Sequence, residues 1–193
     1  MRFSILYGYL FVIALFKDGQ VFCQANTTYD GISYAQEVLG KPLSSIKDSL
    51  FDGNRNFVIN PAHKKNTVTI FSCSPEDKSV LYINNIKFQD LGIVVDTTGI
   101  IKGIHFLRGY FSKSPAHDKK LFNTEYKSLT AYMEARLQLS GITQPVIDEK
   151  SYTQERMSWE KEFLKYTLIN QQSKKIKKVR PSYDIVLEIF STQ

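Results

Sequence analysis

Residues 86–111 have the sequence IKFQDLGIVVDTTGIIKGIHFLRGYF, which reads as a β-hairpin and decides the fold. Apolar residues alternate along its two arms, at Leu91, Ile93, Val95, Ile100, Ile104 and Phe106. Between the arms, residues 96–99 supply turn-forming side chains and a glycine that tolerates positive φ. The second face of the arms is also apolar, at Val94, Ile101 and Leu107. We therefore expect the hairpin to lie in the middle of a sheet that helices cover.

Runs of β-branched and apolar residues on both sides of this hairpin predict more antiparallel strands. On the N-terminal side, residues 67–71 and 80–83 flank a turn-rich segment and are expected to pair as a second hairpin. On the C-terminal side, residues 163–169 and 183–189 are expected to form a third. Residues 57–59 suit a short strand that ends before a proline.

Two segments have helical spacing. Residues 43–50 carry an apolar stripe after Pro42, and residues 124–141 carry a longer stripe between a threonine and a glycine. Residues 32–39 suit either a short helix or a strand, whereas 112–120 and 142–158 read as connections. Because strands cluster rather than alternate with helices, the sequence predicts an α+β fold: an antiparallel sheet of about six to eight strands, built as meander hairpins, with two main helices on one face.

The N-terminus reads as a secretory signal peptide over residues 1–25. Its apolar run, residues 3–16, fits an h-region of about 7 to 15 residues better than a membrane span of about 20. Cleavage after Ala25 would leave residues 26–193 as a single α+β domain, in which 26–120 and 121–193 are two helix-then-sheet halves. The predicted location is therefore the periplasm or the extracellular space.

Other readings of the N-terminus remain open. The apolar run could stay in place as an uncleaved anchor, or Cys23 could be lipidated, although the bulky Phe22 before it argues against lipidation. Asn26 begins an Asn-Thr-Thr sequon, which is a glycosylation site only in a eukaryotic source. Cleavage after Ala25 would leave Cys73 as the only cysteine and exclude an intramolecular disulfide.

The only pronounced charge cluster is a basic loop within residues 170–182. The net charge of the whole chain is +6. The loop contains Lys174, Lys175, Lys177, Lys178 and Arg180. It suits either contact with an acidic partner or a solvated loop that protects a sheet edge. No aromatic residue interleaves the lysines, so nucleic acid is not an expected partner.

The histidines and cysteines give only weak chemical candidates. His63 and His117 both follow Pro-Ala and precede lysines, which would repel a metal ion, so exposed loop histidines are expected and no cofactor is predicted. His105 with Cys73 is the best remaining pair for nucleophilic catalysis, although neither lies in a diagnostic motif.

Aromatic residues at Tyr82, Tyr110, Phe111, Tyr132 and Trp159 are the candidates for an exposed patch, which would indicate a protein or glycan interface. Filling of the core is the alternative for each of them.

These observations favour an exported, non-catalytic binding protein that contacts a protein or a component of the cell envelope. One alternative is a small secreted hydrolase that uses His105 with Cys73 or an unidentified serine. Another is a structural envelope protein held to the membrane by a retained N-terminus. A hydrolase requires a concave pocket in which His105 meets a nucleophile, whereas an interaction module requires a patch without convergent catalytic groups.

Overall fold

The computed structural model describes residues 29–46, 58–59, 69–73, 75, 77–112, 114–174 and 181–193. Its helices and strands, in chain order, are α1 (Gly31–Val38), β1 (Val58–Ile59), β2 (Thr69–Cys73), β3 (Tyr82–Ile83), β4 (Ile86–Lys87), β5 (Asp90–Val95), β6 (Ile101–Tyr110), α2 (Pro115–Leu137), β7 (Ile142–Thr143), β8 (Ile147–Asp148), β9 (Tyr152–Lys161), β10 (Leu164–Ser173) and β11 (Tyr183–Ser191). Short 3₁₀ helices occupy Leu43–Ser45 and Lys78–Leu81.

One antiparallel sheet organises the molecule. Its strand order is β1-β2-β5-β6-β11-β10-β9-β7, with β8 also paired to β9, while β3 and β4 form a separate hairpin. Six strands of the sheet have five or more residues, and β1, β7 and β8 are two-residue additions. The predicted α+β class, with an antiparallel sheet of about six to eight strands and two helices, is therefore confirmed.

The hairpin of β5 and β6 lies in the middle of this sheet, as its sequence predicted. Asp96 closes the turn, because its Oδ1 accepts hydrogen bonds from the backbone N–H groups of Thr98 at 2.9 Å and Ile100 at 3.0 Å. Gly99 follows with φ of 84°, a conformation that a residue with a Cβ rarely adopts. On its far side β6 pairs with β11, so strands from residues 26–120 and from 121–193 share one sheet.

The core lies between the helices and one face of the sheet. From the sheet it takes alternate residues of the central strands, including Phe106 and Leu187, both of which are fully buried. The helix α2 places the Phe122 ring 5.6 Å from that of Tyr110 and 5.2 Å from that of Tyr183, measured between centroids. The helix α1 approaches so closely that a Cβ added at Gly31 would lie 2.9 Å from the ring of Phe106.

The helix α2 begins earlier than predicted. Ser114 caps its N-terminus, Pro115 opens the first turn, and Gln138 ends the helix with a left-handed φ of 56°. The prediction of a connection at 112–120 was wrong, and so were the predicted ends of the helix at 124–141. The early turns are mostly polar and exposed, so the apolar stripe that predicted the helix becomes recognisable only later in the sequence.

Two strand predictions were also wrong. Residues 80–83 do not pair with the described residues 69–71. Asp77 accepts a hydrogen bond from Ser79 N at 2.8 Å and starts the 3₁₀ helix. After this helix, β3 turns back and pairs with β4. The predicted connection 142–158 contains β7, β8 and most of β9. The strand β9 was missed because its polar residues resemble those of a loop. In the structure these residues have partners on the neighbouring strand, since Gln154 donates to Gln171 at 3.1 Å.

For the predicted helix at 43–50, the structure has a 3₁₀ turn at Leu43–Ser45, and residues 47–50 lie outside the described residues. The predicted short helix before Gly40 is present as α1.

Candidate functional site

A surface groove of about 490 Å³ lies beside α1, α2 and the hairpin of β3 and β4. Three tyrosines and two asparagines dominate its lining, so we call it the tyrosine–asparagine groove. Its lining residues are Tyr29, Asp30, Lys78, Ser79, Tyr82, Asn84, Asn85 and Tyr132. Small-molecule sites in proteins have volumes of roughly 300–1,000 Å³, so the groove has the size of a binding site.

Asp30 fixes one wall of the groove. It caps the N-terminus of α1, where its Oδ1 accepts from the backbone N–H of Ser33 at 3.0 Å and from the hydroxyl of the same residue at 3.1 Å. Its Oδ2 accepts from the Tyr132 hydroxyl at 2.8 Å and from the Arg136 guanidinium at 2.9 Å. Both carboxylate oxygens are thus engaged, and α1 is tied to α2.

Asn84 and Asn85 form the opposite wall. They are the two central residues of the hairpin between β3 and β4, and their φ angles of 50° and 60° are the left-handed values that a tight hairpin turn requires. The Asn84 amide donates to the Ser128 hydroxyl at 3.0 Å, which fastens the turn to α2. The turn is therefore held in place from a neighbouring element.

Two polar side chains of the groove are open to a ligand. Neither the Tyr82 hydroxyl nor the Asn85 amide has a hydrogen-bond partner among the described residues. Tyr82 is 41% exposed, and the Lys87 ammonium lies 6.0 Å from its ring centroid. The Ser79 hydroxyl bonds to the Asp77 carboxylate, and this contact lowers the pKa of Asp77. The Ser79 oxygen can still accept a hydrogen bond, whereas the phenol and the amide can both donate and accept.

The hydroxyls of the other two tyrosines are already engaged. Tyr29 donates to Glu37 Oε2 at 3.0 Å, and burial together with this carboxylate raises the pKa of Tyr29 to about 12. Burial and the Asp30 carboxylate likewise raise the pKa of Tyr132 above its ordinary value. Both phenols therefore stay neutral near pH 7 and present ring surface rather than charge.

The described lining of the groove contains one acid and one lysine. The charge of Asp30 is balanced by Arg136, with both side chains largely buried. The Lys78 ammonium donates to the carbonyl of Pro75 at 2.7 Å, a neutral group that does not balance its charge. The described lining residues include neither an unengaged carboxylate nor a histidine as a general base. Uncharged polar side chains thus outnumber charged ones, and the arrangement is suited to holding a polar ligand.

Two other depressions are less suited to ligands. In one of about 500 Å³, several polar groups are already engaged: Gln36 donates to the Tyr166 hydroxyl at 2.8 Å, and Lys161 donates to the carbonyl of Leu137 at 3.2 Å. The other, of about 330 Å³, lies between the end of α2 and the edge strands β7 and β9.

The structure places a carboxylate beside His105. Its Nδ1 lies 3.5 Å from Glu188 Oε1, and its ring meets the ring of Phe190 with centroids 5.2 Å apart. Burial raises the pKa of Glu188, an effect that Arg156 opposes. Backbone pairing aligns Cys73 with Leu91 and Leu91 with Phe106, so positions 73 and 105 are one residue out of register across these strands.

Of the other predicted site residues, the structure describes His117 and Lys174. His117 is exposed in the first turn of α2, and Lys174 forms an ion pair with Asp148 at 2.5 Å. His63, Lys175, Lys177, Lys178 and Arg180 lie outside the described residues, as do the predicted signal peptide, Cys23 and Asn26. Within the described part of the chain, no group of three or more potential metal ligands occurs, and no helix is long and apolar enough to cross a membrane.

Of the five aromatic candidates, Tyr82 and Tyr132 line the groove, Phe111 is exposed, and Tyr110 and Trp159 belong to the core. Sequence reasoning missed the other groove residues. Asn84 and Asn85 carried a recognisable signal, because asparagine is favoured in two-residue hairpin turns. Asp30 carried a second signal as an N-cap residue before a helical run.

Comparisons with known proteins assign the chain to no group: no protein-family model, no curated protein and no solved structure matches it significantly.

Proposed function

We propose that the chain is an exported, non-catalytic binding protein whose ligand site is the tyrosine–asparagine groove. The observation that carries this proposal is that hydrogen bonds hold some side chains of the groove lining in place, while others remain open to a ligand. Asp30, Tyr132 and Asn84 are held by hydrogen bonds to α1 and α2, whereas Tyr82 and Asn85 present polar groups with no partner among the described residues. A rigid wall with a few open donors and acceptors is the usual composition of a binding site.

The rigid wall favours affinity because little conformational freedom is lost when the ligand arrives. The Asp30 carboxylate accepts four hydrogen bonds and connects α1 to α2, so the positions of the Tyr132 ring and of the N-terminal end of α1 are fixed beforehand. Preorganisation of this kind lowers the entropic cost of binding. Binding therefore needs only local adjustment of Tyr82 and Asn85.

We expect small neutral polar fragments to bind in the groove. The measurement is the change in amide chemical shifts of ¹⁵N-labelled protein when a fragment library is added. Changes should centre on Ser79, Asn85 and Tyr132, and Tyr82→Ala should reduce them because it removes an exposed ring from the lining. Phe163→Ala is the matched control, since Phe163 is 61% exposed and does not line the groove.

If the shift changes cluster away from the groove, or if Tyr82→Ala and Phe163→Ala alter them equally, the assignment of this site is wrong.

The export part of the proposal rests on the apolar run at residues 3–16, which has the length of a signal-peptide h-region. We expect protein purified from its native host to have an intact mass that begins at or near Asn26 and to occur in the soluble fraction. N-terminal sequencing of each cell fraction checks this. A mass that retains Met1 in the membrane fraction, or that starts at Cys23 with added acyl chains, would instead identify an anchor.

A further inference from the structure

We infer that the ligand of the tyrosine–asparagine groove is a neutral saccharide, whose ring packs on Tyr82 and whose hydroxyls bond to Ser79 and Asn85. This inference rests on the proposed function, because it names the ligand class of the same site.

The first argument concerns the exposed rings. Tyr29 is 46% exposed and Tyr82 is 41% exposed, although both have large apolar faces that would be buried more favourably. The face of an aromatic ring carries partial negative charge, which attracts the weakly positive C–H groups on one side of a pyranose. A saccharide can therefore pack its C–H groups on these rings although it is a polar ligand.

The second argument concerns the polar groups. Tyr82 and Asn85 offer a phenol and an amide, each of which both donates and accepts, and the oxygen of Ser79, whose hydroxyl bonds to Asp77, can still accept. Sugar hydroxyls also both donate and accept, so each of these groups can find a partner. A purely apolar ligand would bury the phenol and the amide unpaired, which is unfavourable.

The third argument is the charge of the lining. Among the described lining residues, an anionic ligand would meet a single cation, Lys78, whose ammonium also donates to the Pro75 carbonyl. A cationic ligand would meet Asp30 alone among them, and its two oxygens already accept four hydrogen bonds. The described lining thus offers an anion one lysine and a cation no unengaged carboxylate, so an uncharged, multiply hydroxylated molecule fits best.

The test is calorimetric titration of the full chain with a panel of neutral mono- and disaccharides: glucose, galactose, mannose, N-acetylglucosamine, cellobiose and lactose. Glucuronate and glucose 6-phosphate serve as charged counterparts of glucose. We expect at least one neutral saccharide to bind, and the charged counterparts to bind more weakly than glucose if glucose is among the ligands.

Four variants then locate the contacts. Tyr82→Ala should weaken binding about tenfold because it removes the stacking surface, whereas Tyr82→Phe should weaken it less than about threefold. Asn85→Gly should weaken binding about fivefold without destabilising the fold, since glycine adopts the φ of 60° found at this position. Phe163→Ala should bind like the unmodified chain. Thermal unfolding of each variant confirms that it is folded.

The outcomes separate the ligand class from the proposed function. If neutral fragments bind in the groove but no saccharide does, the saccharide assignment is overturned and the binding function stands. If neither fragments nor saccharides bind, both fail. The inference would also be overturned if a saccharide bound with an affinity that neither Tyr82→Ala nor Asn85→Gly changes. Tighter binding of the charged counterparts, or of an uncharged peptide probe, than of the neutral saccharides would overturn it as well.

Discussion

Replacing Asp30 by alanine should lower the free energy of unfolding by about 3–5 kcal/mol, which is typical of removing one partner from a buried ion pair. The side chains of Asp30 and Arg136 are only 10% and 14% exposed, so alanine would leave a largely buried guanidinium without its carboxylate. The substitution also removes the N-cap of α1 and a hydrogen-bond acceptor for Tyr132. Urea unfolding followed by circular dichroism measures the change.

Two further variants isolate the cause. Asp148→Ala is the matched control, because Asp148 pairs with Lys174 at an exposed position and its loss should leave stability nearly unchanged. The double variant Asp30→Ala/Arg136→Met should be less destabilised than the sum of the single variants, since no guanidinium is then left unpaired. Strict additivity would contradict the assigned role of the Asp30–Arg136 pair.

Replacing Phe106 by alanine should lower the free energy of unfolding by about 3–5 kcal/mol through the cavity that it leaves. Phe106 is fully buried in the middle of the sheet, where it is paired with Leu91 on β5 and with Leu187 on β11. Its ring meets the ring of Phe88 edge-on, with centroids 5.8 Å apart. The sheet on both sides restrains collapse of the site, so much of the cavity should persist.

Phe111→Ala is the control for this variant, because Phe111 lies just beyond the same strand and is 77% exposed. Its loss should change stability by no more than about 0.5 kcal/mol. Chemical unfolding of both variants measures the difference. Equal destabilisation by the two substitutions would mean that the core is not centred on β6.

The parts of the fold that could be read from the sequence are those whose pattern is local. The strand β11 alternates apolar and polar residues, and the hairpin of β5 and β6 carries apolar residues at every second position of its inward face, so their strand character followed from the period of two. The pairing of β6 with β11 could not be read in this way, because register between strands distant in sequence depends on tertiary packing.

Two elements were misread because their stabilising contacts are not local. The first turns of α2 are polar, and only packing of residues such as Phe122 on the sheet makes them part of one long helix. In β9, the buried residues Gln154 and Ser158 look like loop residues until Gln171 and Thr167 of β10 supply their partners.

The groove could not be predicted from the sequence for the same reason, because the contacts that assemble it are not local. Its lining comes from residues near position 30, from residues 78–85 and from Tyr132, so no sequence motif spans it. The turn formed by Asn84 and Asn85 and the N-cap residue Asp30 were visible individually. Their association requires the hydrogen bonds of Asn84 to Ser128 and of Asp30 to Tyr132 and Arg136, which only the folded chain brings together.

The position of β11 has a consequence for how the chain folds. This strand follows the other described strands in sequence, yet it lies between β6 and β10. Until it emerges from the ribosome, both neighbours present unpaired edges, which can template aggregation. The middle of the sheet therefore closes last during synthesis, and the high sequence separation of its contacts favours slow folding. Chaperones that shield nascent strands would be of most use to this chain in that interval.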